Sequence, residues 1–277
     1  MKTKTAILIF FSQISFLICS AQTHTSKALQ DSVFKKYVEN GAFHYALNSH
    51  ERQRYLDSAI AITPDNSYLW QQRAMPLFKQ GKYELGMTYL DKAVELNPTK
   101  YLDYRAFMKC IFSKTYADAI TDFKKAYETY GDKNVMDHSY DFYIGICYLQ
   151  LSKYKEAKEH LQKSIDNQLK KNGESYVHFL DEFYLGVVQY EMEDYGNAII
   201  SFDKALAKYE HFSDAKYYKS FCLKRLEKTE EASMLFVSAM TDLKDGSTIN
   251  EDNSIYERYP YQIKMYYFGD QNTKNKK

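Results

Sequence analysis

Apolar residues between positions 33 and 245 recur at the i, i+3, i+4 spacing of helices that each bury one face. A finer pattern repeats inside that one: a small residue, then a large apolar residue four positions later. The pairs are Gly86/Leu90, Ala119/Phe123, Ala157/Leu161, Ala198/Phe202 and Ala232/Phe236, and an irregular first copy has Arg52/Leu56. Successive anchors at 52, 86, 119, 157, 198 and 232 lie 34, 33, 38, 41 and 34 residues apart. A small residue lets two helices approach closely, and the large one fills the space beside it. Tyr83, Tyr116, Tyr154 and Tyr195 each stand three residues before an anchor, at a predicted turn between paired helices. The two longer intervals contain polar, turn-forming linkers, 130–134 and 169–174, which read as insertions between repeats and not as a domain boundary. The pattern predicts an all-α chain of about six helix pairs.

The second copy carries the most detail: Trp70-x2-Arg73-Ala74-x2-Leu77, Gly81-x-Tyr83, Gly86-x3-Leu90-x2-Ala93 and Pro98. It resembles the tetratricopeptide repeat (TPR), whose signature of tryptophan, glycine, tyrosine, alanine and a closing proline spans about 34 residues. Other copies keep parts of it. Ala59 and Pro64 close the first; Gly145-x2-Tyr148, Leu185-Gly186 and Ser220-x2-Leu223 mark the first helices of the fourth, fifth and sixth. The resemblance implies an α-solenoid with repeats at about 33–66, 67–100, 101–133, 138–171, 179–212 and 213–245, and a concave face suited to holding a partner. It points to a non-catalytic scaffold binding a protein or peptide, not to an enzyme.

The resemblance also implies which side chains face the groove. Carried over residue by residue, they are Gln71, Met75 and Phe78 in the second copy and Phe142, Ile146 and Leu149 in the fourth. The fifth gives Phe183, Val187 and Tyr190, and the sixth Tyr217, Phe221 and Lys224. The third copy runs one residue out of phase between its helices, so Asp103 and Phe107 have no firm place. These are mostly aromatic and aliphatic side chains, unlike the Lys, Asn and Arg with which chaperone-binding TPR domains clamp a terminal carboxylate. The expected ligand is therefore an apolar segment of another protein, unless a small rotation of each helix turns the stripe into core.

Residues 1–21 fall outside the repeats. Lys2 and Lys4 precede the apolar stretch from Ala6 to Ile18, followed by Cys19, Ser20 and Ala21. That order reads as a secretory signal peptide, too short in its apolar part to argue for a permanent span. It resembles the leaders of exported Bacteroidetes proteins and implies the periplasm or envelope of a Gram-negative bacterium. Cys19 is a candidate lipid-anchor site, although Ile18 is unusual before a lipidated cysteine. No later apolar run is long enough to cross a bilayer. Residues 22–30 read as a linker, 246–268 as a C-terminal cap with Tyr259 and Tyr261 as anchors, and 269–277 as a disordered tail. A solenoid end needs such a cap because its last repeat otherwise exposes a face made for a neighbour.

Composition narrows the partner. Beyond residue 21 there are 35 basic and 36 acidic side chains, with no basic stripe of the kind a nucleic-acid binder needs. The surplus of aromatics, 27 Tyr and 17 Phe, keeps open an alternative as a glycan- or nutrient-binding envelope component. Cys110, Cys147 and Cys222 read as buried small residues, held too far apart for disulfides if their helices pack at the usual 8–10 Å or so. Among seven histidines there is no metal-binding motif, and no phosphate loop or nucleophile elbow is present, so no cofactor, metal or catalytic residue is expected. The cluster from Asp137 to Asp141 reads as a helix cap.

Overall fold

The computed structural model describes residues 25–269, so the expected signal peptide, Cys19 and most of the expected 269–277 tail lie outside the described residues. Among the described residues twelve α-helices follow one another as six pairs: α1 (Lys27–Val33), which meets α2 (His50–Ile62) through its π-helical continuation Phe34–Glu39, and α3 (Ser67–Lys79) with α4 (Tyr83–Leu96). They continue as α5 (Pro98–Met108) with α6 (Tyr116–Tyr130), and α7 (Tyr140–Gln150) with α8 (Tyr154–Asn172). The last two pairs are α9 (Phe179–Glu191) with α10 (Tyr195–Lys208), and α11 (Ser213–Arg225) with α12 (Thr229–Lys244). From α3 onward each helix packs on its partner, and the second helix of each pair up to α10 packs on the first helix of the next, the contact pattern of a solenoid.

The repeating tyrosines open the second helices: α4, α6, α8 and α10 begin at Tyr83, Tyr116, Tyr154 and Tyr195. Each preceding turn passes through a left-handed residue, Gly81, Lys114, Ser152 and Glu193 in turn, and Glu227 takes the same conformation before α12. The anchor Gly86 and the first-helix glycines sit where paired helices approach closely, and a Cβ added at Gly86 would lie 2.9 Å from Phe78 Cε2. A Cβ added at Gly145 would lie 2.6 Å from Leu161 Cγ, and one at Gly186 would lie 2.7 Å from Phe202 Cε1.

Three local departures have physical reasons. The first helix begins at Lys27, inside the segment expected to be linker, because Ser26 caps it through the Leu29 N–H and Thr25 is tied to Asp65. The out-of-phase third pair absorbs its extra residue in a π-helical turn, Lys109–Ser113, at the end of α5. Cys110 and Cys147 are neighbouring buried free thiols, and burial together with the nearby Cys110 raises the Cys147 pKa.

After α12 the chain turns at Gly246 and runs back along the inner side of the pairs. Ser247 O accepts the Ser213 N–H, and Glu251 reaches the start of α7. Tyr256 lies under Lys79 at the end of α3, and Glu257 pairs with Lys114 and accepts the Tyr83 hydroxyl. The chain then returns. Pro260 O accepts from Tyr184 and Tyr261 O from Tyr218, while a short helical turn, Met265–Phe268, packs on α12.

Candidate functional site

The inner face of the middle repeats is a mass of interlocked rings. Phe183 lies within ring-contact distance of Phe212, Tyr184, Phe202 and Tyr218, with centroids 5.0 to 6.1 Å apart. Phe142 stacks on His138 at 3.9 Å and meets the edges of Tyr143 and Tyr184. Phe78 packs between Tyr83 and Phe112. Phe78, Phe142, Ile146, Phe183 and Val187 are all buried, so none of them lines an open groove as the repeat signature implied. The correction is that these side chains are core between helices, Phe78 against Gly86 and Phe183 against Phe202 of their own pairs, while residues 247–268 meet the adjacent Tyr184 and Tyr218. Met75 and Tyr190 are half-buried, and Tyr217 is held among Phe221, Phe236, Tyr267 and Phe268.

Hydrogen bonds fix the occupying segment as firmly as its buried side chains Ile249, Tyr259, Ile263 and Phe268. Asp214, at the start of α11, accepts from Thr248 Oγ1 at 2.7 Å, Ile249 N at 3.2 Å and Ile263 N at 2.7 Å. One carboxylate thus ties both the outgoing and the returning strand. Burial raises its pKa and the hydrogen bonds from Thr248, Ile263 and Ile249 pull it back, leaving it at about 6. Tyr261 donates to Glu191 at 2.7 Å, and Lys114 Nζ donates to Arg258 O at 3.0 Å.

Two other places stand apart from this packing. Phe221 and Lys224 open onto a surface cavity of about 400 Å³ between α11 and α12, lined also by Ala232, Phe236 and Val237. Met234 is 68% exposed and Val237 54%, and among the described residues no further α-helix follows α12. The other place is where α7, α9 and the C-terminal segment meet. His138 closes a two-residue hairpin, Asn134–Val135 with His138–Ser139, and Ser139 then caps α7 through the Phe142 N–H. The capping expected of the 137–141 cluster falls to Ser139, while His138 turns inward.

His138 Nε2 lies 3.4 Å from Glu251 Oε1, and its Nδ1 lies 3.8 Å from Asp181 Oδ2. Burial disfavours the imidazolium, but the two carboxylates outweigh it and raise the His138 pKa to about 9. The His178 ring meets the His138 ring at right angles, 4.7 Å away. Burial lowers the His178 pKa, and the nearby His138 lowers it further. Positions 138, 178 and 251 share no spacing motif, so nothing in the sequence announces that they converge.

Among the described residues, no helix is long and apolar enough to cross a membrane. Tetratricopeptide-repeat family models match residues 67–100 and 140–168, the second and fourth helix pairs. No curated protein sequence matches the chain. Solved structures that share the fold include PilW, described as a widely conserved type IV pilus biogenesis factor. It has 14% identity and a TM-score of 0.60, over 79% of this chain and 96% of that one. A tetratricopeptide repeat protein from Parabacteroides merdae has 13% identity and a TM-score of 0.59, over 80% and 81% of the two chains. PilF of Pseudomonas aeruginosa has 17% identity and a TM-score of 0.56, over 78% and 92%. Repeat spacing, paired helices and matched repeats agree: the chain belongs to the tetratricopeptide-repeat proteins.

Proposed function

We propose that this protein is a non-catalytic interaction scaffold of the bacterial cell envelope, exported by the leader in residues 1–21. In this reading it holds an apolar segment of a protein partner on the exposed face of its last helix pair. The observation that carries the reading is the contrast between two surfaces of one solenoid. The inner face is closed by the chain's own residues 247–268, whereas α11 and α12 leave Phe221, Phe236 and Val237 around an open cavity, with Met234 exposed on α12. Solenoid repeats pair apolar faces with a neighbour, and a terminal face without one is available to another protein. Lys224 at the rim adds a charge that favours an acidic residue beside the partner's apolar anchor. The glycan-binding alternative has less support, because the aromatics it would use are packed on one another.

The test is photo-crosslinking in envelope extract from a probe placed at Val237, set against a probe at Tyr256 on the C-terminal segment. A partner captured at Val237 and lost in a Met234→Asp/Val237→Asp double variant with unchanged helicity supports the reading. Capture only at Tyr256, or capture indifferent to the double variant, moves the interaction to the inner face or elsewhere and overturns it.

A further inference from the structure

We propose that His138, His178 and Glu251 form a binding site for a zinc-like divalent metal ion, which fastens the C-terminal segment to the solenoid. The three residues come from separate parts of the chain: the hairpin before α7, the N-cap of α9, and the segment that follows α12. One ligand atom from each lies within 4.8 Å of the other two. One pair, Nε2 of His138 and Oε1 of Glu251 at 3.4 Å, already spans the edge of a tetrahedron with bonds of about 2.1 Å to its centre. Two imidazoles and one carboxylate suit zinc and its transition-metal neighbours far better than calcium or magnesium, which take oxygen ligands.

The surroundings carry the argument beyond the three ligands. Asp181 is fully buried, and its Oδ2, which has no hydrogen-bond partner, faces His138 Nδ1 from 3.8 Å. Its Oδ1 is fixed by the Ser164 hydroxyl at 2.6 Å. A buried carboxylate behind the far nitrogen of a metal-binding histidine orients the ring and makes its ligand nitrogen more basic. Access exists as well. Asp137, Glu251 and Asp252, with Asn250 and Asn253, line a polar cavity of about 150 Å³ that opens beside the cluster and would draw cations inward.

His178 is the ligand that must adjust most. Its Nδ1 accepts the Leu180 N–H at 3.3 Å as the cap of α9, so binding through Nε2 exchanges that weak cap for the metal. Because Glu251 is the only ligand from the C-terminal segment, an ion here would hold residues 247–268 down independently of the Asp214 anchor. Whatever becomes of the terminal face proposed above, this site stands or falls by itself.

The test titrates the full chain, free of affinity tags and treated with chelator, with Zn2+ alone, and with Ca2+ as control. The expected result is one Zn2+ per chain with no saturable Ca2+ binding, and slower proteolysis within residues 247–268 once zinc is bound. His138 is buried, so its variants risk misfolding; Glu251→Gln and His178→Asn are the informative ones, since Asn preserves a helix cap. Each should weaken zinc binding by about ten-fold or more. In Glu251→Gln, zinc should no longer protect the segment. Absence of saturable zinc binding overturns the site, as does equal affinity in both variants. Zinc binding that leaves proteolysis of the segment unchanged overturns the fastening.

Discussion

Asp214 is where a single side chain decides most. Its carboxylate gathers three donors from two strands of the C-terminal segment, and all three are neutral groups. Folding raises its pKa from 3.8 to about 6, so between those values the folded chain holds the proton more tightly than the unfolded one. Stability falls with rising pH wherever the folded state binds more protons. The contribution of this group is therefore complete below pH 3.8 and lost as pH rises through about 6, at about 1.4 kcal/mol per pH unit in between. The urea midpoints of wild type and Asp214→Asn, compared from pH 4 to 7, should converge or cross as this slope disappears in the variant; parallel curves would refute it. Tyr184 offers a second test. Its hydroxyl donates to Pro260 O at 3.0 Å in a buried setting, and Tyr184→Phe should cost about 1–3 kcal/mol by stranding that carbonyl. Equal thermal stability would mean that water or a shifted donor satisfies Pro260.

At the scale of helices and turns, the close approaches are the sensitive points. Gly145→Ala places a methyl 2.6 Å from Leu161 Cγ and 3.3 Å from the Ala157 carbonyl, and overpacking of this kind costs about 1–3 kcal/mol. Gly196→Ala, near the start of α10, meets nothing within 4 Å and should be neutral or stabilising by up to about 1 kcal/mol. Thermal denaturation of the pair separates overpacking from a general effect of replacing helical glycine. The small-then-large pattern was legible because each such pair reports a contact between neighbouring elements. Local signals also located the starts of α4, α6, α8 and α10. The π-helical turn at Lys109–Ser113 appeared only as a phase slip, since an inserted residue can equally become a longer loop. The early start at Lys27 was hidden because its cap depends on Ser26, and its anchor on Asp65 some 40 residues away.

For the whole molecule, the question is what the inner face becomes without its covering segment. Phe142, Ile146, Phe183 and Val187 follow the same apolar spacing whether they meet a partner, solvent or the chain's own end, so periodicity alone could not choose among these. The segment itself has no helical or strand period. Its anchors at Lys114, Tyr184 and Asp214 are spread over a hundred residues, which left its path unreadable although its apolar character was plain. Deleting residues 247–277 removes Tyr259 from the inner face and Ile263 and Phe268 from the last helix pair, and strands the buried Asp214 and Tyr184. The truncated chain should keep its helical signal, melt at lower temperature and bind an environment-sensitive dye, because an uncovered apolar face of that size is not tolerated in a monomer. A synthetic peptide of residues 247–268 added in trans should restore part of the lost stability, but only at high concentration. Tethering supplies an effective concentration in the millimolar range that a free peptide lacks. If the truncated chain is as stable and as silent toward the dye as the parent, the segment is an ornament on a self-sufficient solenoid. Rescue by the peptide at low concentration would instead mean that the inner face binds extended chains strongly by itself, and that the covering segment competes with ligands there.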